Sequence, residues 1–410
     1  VRLLDVTPRF PAAPRRGSEA RIHGVLAQLA RHHHVRQFSQ ATWLDLHLQP
    51  RSRVVRHGDT WEQWQWVHPV AAAVGSVPER AWPRAPLWAG RALALARPRG
   101  LDAWLRWADV TLVEFPWQLA YCARRHPGGR FVYASMNVEA QKFASWARAA
   151  GVEPEGDRWV RLVGRLEAFA VRRADHVLAV SESDAALFVD RYGCPAEKVT
   201  VVANGADTRR LRPAAPAERA AARRRLGLPE RTTVLFVGAD VPPNRVGLAW
   251  VRRVAPLAPE LTFAVVGEIG GPPGFEGNVV RLGFVDDLAT ALAAADLSLV
   301  PIEHGGGTKI KLLESLAAGL PTVAFADCLG GLDLPVRCVE KRPAAVAAAL
   351  RALASDPEGA ARRALEGREA IARGYDWETT TRPLAPVLAR LAAAPGPTAR
   401  RSLSLATAVD

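Results

Sequence analysis

The residues best placed to do chemistry lie in one segment, Pro301-Ile-Glu-His-Gly-Gly-Gly-Thr-Lys-Ile-Lys-Leu-Leu-Glu-Ser-Leu-Ala-Ala-Gly-Leu-Pro321. Gly305, Gly306 and Gly307 let backbone approach a ligand and take conformations closed to other residues. Thr308 is a good N-cap, and the helix it opens is expected to run to Gly319, with Pro321 beyond as a stop. A strand, a glycine loop and a helix N-terminus together form an anion cradle, because free N–H groups and the helix dipole both favour phosphate. Lys309 and Lys311 are two of only five lysines in the chain. Cations at a helix start oppose the dipole, so a bound diphosphate would account for them better than stability does. Ile310, Leu313, Ala317 and Leu320 form one apolar stripe. Lys311, Glu314 and Ala318 fall on another face. A solvated helix start with a Lys311–Glu314 ion pair is the plainer alternative.

Other arrangements carry less. His32-His33-His34 point in different directions on a helix, so they share no focus for a metal. The sequence contains no Walker A loop, HExxH, GxSxG or Asp-x-Asp, and Val266–Gly274 lacks the GxGxxG spacing and reads as a strand-end loop. Cys122, Cys194, Cys328 and Cys338 lie far apart, which suits free buried thiols in a reducing cytoplasm. No metal and no cofactor is expected.

The elements that must position the segment alternate along the chain. In the first half, strands are expected at Leu3–Val6, Val35–Phe38, Val110–Phe115, Arg130–Ala134, His176–Val180 and Val199–Ala203. Between them lie helical patterns at Ser18–Arg31, Trp117–Arg125, Asp157–Arg173 and Glu182–Tyr192. The second half gives strands at Val234–Val237, Thr262–Val266, Val279–Leu282, Leu297–Val300 and Pro321–Phe325. Helices follow at Ala344–Ala354, Pro357–Arg373 and Glu378–Ala393, the last with Pro383 near its start as a bending point. Alternating strands and helices imply parallel sheets covered on both faces. The fold class is α/β, with two Rossmann-like domains, residues 1–204 and 205–377, facing across a cleft and joined by a linker near residues 204–230. A closing helix spans 378–393, and the small, polar tail 394–410 is expected to stay unfolded. Ligands of such sheets bind at strand carboxyl ends.

Composition bounds the function. The chain has 410 residues, 49% of them hydrophobic and 23% charged, which suits two soluble domains. No apolar run is long enough for a spanning helix, and no leader pattern opens the sequence, so secretion is not expected. The chain begins with Val1 and its only methionine is Met136, which suggests a non-AUG start. A net charge of +13 draws anions, although the 49 arginines against five lysines look like the codon bias of a GC-rich genome. Eleven of the 13 tryptophans fall within residues 43–159. Between Arg84 and Trp107 they mix with five arginines and a single acid, a composition shared by helices that lie on anionic membranes. Packing of the first domain explains the same tryptophans equally well.

The segment at 301–321 resembles the donor-site signature of the GT4 group of GT-B glycosyltransferases, in its GGGT-K-x-K-x-x-E form. Other pieces match in order. Arg16-Gly17-Ser18-Glu19 is similar to the N-terminal glycine loop, Ala174–Ser181 to the "AD-x-V-x-x-VS" strand, and Val202–Asp207 to the "NGVD" turn. Val237-Gly238 with Pro243-Asn244 resembles the motif opening the second domain, and Gly283–Leu288 with Ala295-Asp296 the "G-x-V-x-D…AD" run. Tyr375-Asp-Trp377 looks like the aromatic motif before the closing helix. The resemblance covers nearly the whole chain, densely from residue 174 to 377 and sparsely before 130.

What the resemblance implies is a transferase that moves a sugar from a nucleotide-sugar donor to a glycan, lipid-linked or small-molecule acceptor; the scattered cysteines point to the cytoplasm, and the Trp- and Arg-rich stretch leaves open a peripheral position on the inner membrane face. The resemblance also implies retention of anomeric configuration and no metal. Glu314 would bind the ribose hydroxyls. Lys309 and Lys311, as catalytic cations, and the backbone of Gly305, Gly306, Gly307 and Thr308 would hold the diphosphate. Asn244, Gly283, Phe284 and Val285 complete the donor side, the last three against the base. Gly17, Ser18, Asn137 and Glu139 would serve the acceptor or phosphate side. Simple turn-making explains Gly205 and Gly283 as readily. Two positions depart from the pattern. Gly306 stands where many members carry a second glutamate, and Met136 replaces the histidine of a "HNVE" motif. A non-catalytic binding subunit and a GT-B-shaped sugar-nucleotide epimerase are the alternatives. A nucleic-acid-binding protein fits least, since no such module is recognisable.

Overall fold

The computed structural model describes residues 1–8, 16–42, 45–46, 49–75, 86–149, 151–154, 157–303 and 309–394. The tail expected to be unfolded lies outside them from residue 395 onward. The chain forms two compact units. One comprises Val1–Ala12, Val25–Ala203 and Thr381–Asp410, the other Ala13–Gly24 and Asn204–Thr380.

Among the described residues the first unit holds eight strands: β1 (Arg2–Thr7), β2 (His34–Gln40), β3 (Arg53–Arg56), β4 (Trp61–Trp66), β5 (Val110–Glu114), β6 (Phe131–Ala134), β7 (His176–Ala179) and β8 (Val199–Val201). They run in the order β3-β4-β2-β1-β5-β6-β7-β8, parallel except for the β3–β4 pair. β5 and β6 are buried along their whole length, as expected of parallel strands with both faces covered. One face packs Leu4, Val6, Phe38 and Val113 against Leu101, Leu105 and Leu119. The other carries a buried polar row. There Asp5 Oδ2 accepts from Gln37 Nε2 at 3.0 Å and Ser39 Oγ from Gln63 Nε2 at 2.8 Å. Burial pushes the Asp5 carboxyl up to about 7.

The second unit has β9 (Thr233–Val237), β10 (Thr262–Val266), β11 (Gly274–Glu276), β12 (Val279–Gly283), β13 (Leu297–Val300), β14 (Thr322–Ala324) and β15 (Arg337–Cys338). Their order is β11-β12-β10-β9-β13-β14-β15, with only the β11–β12 pair antiparallel. In both sheets the order turns back at the centre, between β1 and β5 and between β9 and β13. Such a switch point opens a crevice at the carboxyl ends of the two central strands.

Helix boundaries follow local chemistry. Asp157 caps the helix Arg158–Arg173 by accepting from Trp159 N at 2.8 Å and Val160 N at 2.9 Å. Ser181 caps Glu182–Tyr192, which Gly193 ends at φ +62°. The closing helix is split: Trp377–Thr381 and Leu384–Ala393 flank Arg382-Pro383, and the second piece belongs to the first unit and lies against β5. The stretch 204–230 is not a bare linker, because it contains the helix Pro216–Leu226. No helix among the described residues is long and apolar enough to cross a membrane.

Candidate active site

The helix expected to line the donor site spans Ile310–Ala317, with Lys309 in extended conformation at its N-cap. Gly305, Gly306, Gly307 and the expected cap Thr308 lie outside the described residues. The apolar stripe is buried as its spacing requires: Ile310, Leu313, Ala317 and Leu320 are all under 10% exposed. Ser315 Oγ sits 2.8 Å from Ser298 Oγ and ties the helix to β13. The N-terminus of the helix is thereby fixed beside the β9–β13 switch point.

Lys311 is directed toward β9 rather than toward Glu314. Its Nζ donates to Asn244 Oδ1 at 2.6 Å and lies 5.2 Å from the centre of the Phe236 ring. Asn244, only 8% exposed, is itself oriented by donating from Nδ2 to Ala239 O at 2.8 Å. Burial, reinforced by neighbouring Lys309, lowers the Lys311 ammonium to about 7. Glu314, half-buried one turn further on, moves the opposite way. Burial raises its carboxyl to about 7, against the attraction of Lys311 and Arg210. The simple ion pair is therefore not what the side chains form. Each charge instead sits in an apolar setting that disfavours it, and an anion beside the lysine would relieve that penalty.

Three strand ends close the rim of the site. Gly238 N donates to Val266 O at 2.9 Å, and Gly267 N to Gly283 O at 2.7 Å. Gly267 has φ +108°, and a Cβ there would stand 2.1 Å from Gly238 O. Only glycine fits, which is the reason for a residue the sequence reading treated as ordinary loop. Gly283 also has positive φ, +66°. Phe284 and Val285 follow it, half-buried, on the wall of an open cavity of 510 Å³ shared with Pro273, Phe275 and Arg225. Arg210, which pairs with Asp287 at 2.6 Å and acts electrostatically on Glu314, was missed in the sequence because it lies in the segment taken for linker.

Of the remaining candidates, Gly17 comes close to the same helix, whereas Asn137 and Glu139 belong to the first unit. Gly17 and Ser18 open the helix Gly17–Leu29, and a Cβ on Gly17 would lie 3.9 Å from Ile310 Cδ1 within the second unit. Asn137 and Glu139 are in the first unit. Glu139 is fully buried and pairs with Lys142 at 2.5 Å, and Asn137 Nδ2 reaches it at 3.4 Å. Met136 is buried beside them. Beneath this turn lies Glu167, whose carboxylate accepts from the backbone N–H of Glu139 (2.7 Å) and Ala140 (2.9 Å). It also accepts from the hydroxyls of Tyr133 (3.0 Å) and Tyr192 (2.7 Å). Glu167 thus caps the helix Glu139–Ala149 from a distant element, a role no local motif reveals.

The tryptophans between Trp88 and Trp107 take part in intramolecular packing. Trp104 meets Trp64 edge-on at 5.6 Å, Arg36 lies 4.2 Å from the Trp107 ring centre, and Trp88 lies 6.1 Å from Trp159. Arg91, Leu95, Arg97 and Arg99 remain exposed, and Arg84 lies outside the described residues. Cys122, Cys194 and Cys328 are buried free thiols, but Cys338 is exposed on the edge strand β15. His32 and His33 follow the helix end at Leu29, and His34 begins β2. No cluster of metal-ligating residues occurs among the described residues.

Comparison with known proteins follows the same geometry. Residues 231–356 match the family model described as glycosyl transferases group 1, and residues 15–210 match that of glycosyltransferase family 4. A D-inositol 3-phosphate glycosyltransferase of Salinispora arenicola is 32% identical over 323 residues, 71% of this chain and 69% of the relative. One from Geodermatophilus obscurus is 35% identical over 271 residues, 58% of this chain and 57% of the relative. Among solved structures, a sucrose-phosphate synthase of Thermosynechococcus elongatus superposes with TM-score 0.71 at 18% identity, covering 95% and 99% of the two chains. Anabaena HepE in complex with UDP and glucose gives 0.66 at 17%, covering 94% and 99%. Two Rossmann-like sheets, a lysine-bearing helix at the second switch point and these matches together make the chain a GT-B glycosyltransferase of the GT4 family.

Proposed function

We propose that the enzyme transfers a sugar from a nucleoside-diphosphate sugar to a hydroxyl of a glycan, lipid-linked or small-molecule acceptor, retaining anomeric configuration and using no metal. The observation that carries this reading is the pair Lys311 and Glu314, one turn apart on the helix Ile310–Ala317, both moved toward neutrality by burial. A diphosphate beside Lys311 restores its charge, and ribose hydroxyls give Glu314 the donors it lacks. Solved neighbours support a nucleotide-sugar donor: HepE was solved with UDP-glucose, and an Escherichia coli trehalose-6-phosphate protein with UDP-2-fluoro glucose. The relatives named for D-inositol 3-phosphate suggest a small phosphorylated polyol as one acceptor class. As the bond between the anomeric carbon and the diphosphate oxygen breaks, negative charge grows on the leaving group. Lys309, Lys311 and the helix N-terminus would stabilise it.

A panel of nucleotides screened by thermal shift tests the donor reading, since a ligand that binds only the folded chain raises its midpoint. A nucleoside diphosphate should stabilise and the free nucleoside should not; no response to any diphosphate would refute it. Transfer should also persist in excess EDTA, because fixed cations do the work otherwise given to a metal. Turnover lost in EDTA and restored only by magnesium or manganese would overturn metal independence.

A further inference from the structure

Arg210 is an exposed residue whose backbone is held from two sides. Asp207 Oδ1 accepts from Arg209 N at 3.1 Å and from Arg210 N at 3.0 Å. From the helix Pro357–Gly374, Arg368 donates to Thr208 O at 3.0 Å and to Leu211 O at 2.7 Å. The same guanidinium donates to Ala317 O at 2.5 Å, a carbonyl at the C-terminal end of the helix that carries Glu314. One side chain therefore ties residues 208–211 to that helix. All of these residues belong to the second unit.

The Arg210 side chain then joins two parts of the candidate site. It pairs with Asp287 at 2.6 Å. Asp287 caps the helix Leu288–Ala294 by accepting from Ala289 N and Thr290 Oγ1, and it follows the Gly283–Val285 turn by two residues. Arg210 and Asp287 also line a cavity of 390 Å³ with Ala318, which stands four residues beyond Glu314 on the same helix face. The charged groups around Glu314 are thus Lys311 on its own helix, Arg210 from the 207–211 segment, Arg368 at the helix end and Asp287 behind Arg210. Burial disfavours the ionised Glu314, and Lys311 and Arg210 oppose that penalty. Lys311 Nζ is already engaged with Asn244. An exposed pair such as Arg210–Asp287 contributes little to stability, so the fixing of this segment calls for another account.

We propose that Arg210 is a positioning residue of the donor site: held by Arg368 and Asp287, it supplies the positive field in which Glu314 meets the nucleotide's ribose as a carboxylate. The inference rests on the reading of Glu314 as the ribose-binding group. An ionised carboxyl offers both oxygens to the two hydroxyls, whereas a protonated one turns part of that capacity into a donor. The Arg210 side chain is 60% exposed, so solvent screening keeps its effect moderate. Its neighbour Arg209 pairs instead with Glu378, at 2.7 Å.

Calorimetric titration of the full chain across pH, with uridine, guanosine or adenosine diphosphate, whichever it binds, tests this. Arg210→Gln should weaken binding about three- to tenfold at neutral pH, because losing a neighbouring cation favours the protonated carboxyl. The gap should close as pH rises and Glu314 ionises without help, a trend that a purely structural defect would not produce. Arg210→Lys should recover most of the loss. Arg209→Gln, which removes a charge from the same segment, should stay within about twofold of wild type at every pH. In a Glu314→Ala background, Arg210→Gln should add nothing. A loss equal at all pH values, no loss at any pH, an equal effect of Arg209→Gln, or a further loss in the Glu314→Ala background would each overturn the role of Arg210 alone. Undiminished affinity in Glu314→Ala, or no diphosphate bound at all, would instead remove the donor reading and this role with it.

Discussion

Glu314→Ala should weaken nucleoside-diphosphate binding about ten- to a hundredfold, the loss expected when a carboxylate giving charge-assisted hydrogen bonds is removed. Stability should hardly change, because the helix keeps its buried stripe of Ile310, Leu313 and Ala317 and sheds a carboxyl that burial penalises. Lys311→Ala should lower affinity similarly through the phosphates. The two groups also set a pH dependence. Lys311 is lowered to about 7 and Glu314 raised to about 7, and a diphosphate binds the protonated amine whereas ribose hydroxyls bind the ionised carboxylate. Affinity should therefore peak near neutrality. Above it Lys311 loses its proton, and below it Glu314 gains one. Titrations across pH should show Lys311→Ala losing the alkaline limb and Glu314→Ala the acid limb. Unchanged affinity in Glu314→Ala would remove the donor-site assignment.

The larger effect on stability should come from Glu167→Ala. The carboxylate satisfies two backbone N–H groups and two tyrosine hydroxyls, and is itself fully buried. Deleting it strands those donors without water. Loss of a buried polar hub costs about 3–5 kcal/mol, or roughly 10 °C of melting temperature in a domain of this size. Glu167→Gln should cost less, since it preserves volume and one acceptor. Burial raises the Glu167 carboxyl to about 7 from 4.5. Between those values the folded chain binds more protons than the unfolded one, so stability falls as pH rises from about 4.5 to about 7 and levels off beyond. Glu167→Gln should flatten that part of the profile. A wild-type melting temperature that rises across the window, or one that Glu167→Ala leaves within a degree or two, would contradict this account.

What could be read from the sequence depended on period and burial. The central strands β1, β2, β5, β9, β10 and β13 are short apolar runs between turn residues, and each was placed to within a few residues. β3 and β4 were missed because Arg53–Arg56 and Trp61–Trp66 mix charge and amide groups with the apolar residues. Their polar side chains are absorbed by a row of hydrogen bonds that no periodicity announces. The helix Pro216–Leu226 was hidden for the opposite reason, since PAERAAARRRL has no apolar stripe to reveal it. At the candidate site, the helix and its buried face were legible because a glycine run, a strand and 3.6-residue spacing coincide. The orientation of Lys311 was not, because Asn244 lies 67 residues away and only the sheet brings the two together. The same holds for Glu167, whose four partners come from three separate segments.

The ends of the two sheets have a consequence for handling the protein. Each terminates in a very short strand: three residues in β8 and β11, two in β15, and four in β3, where arginine occupies both ends. Short or charged borders offer an incoming strand little continuous backbone to pair with. Concentrated solutions should therefore resist growth of intermolecular β-structure, and self-association, where it occurs, should proceed through helical surfaces.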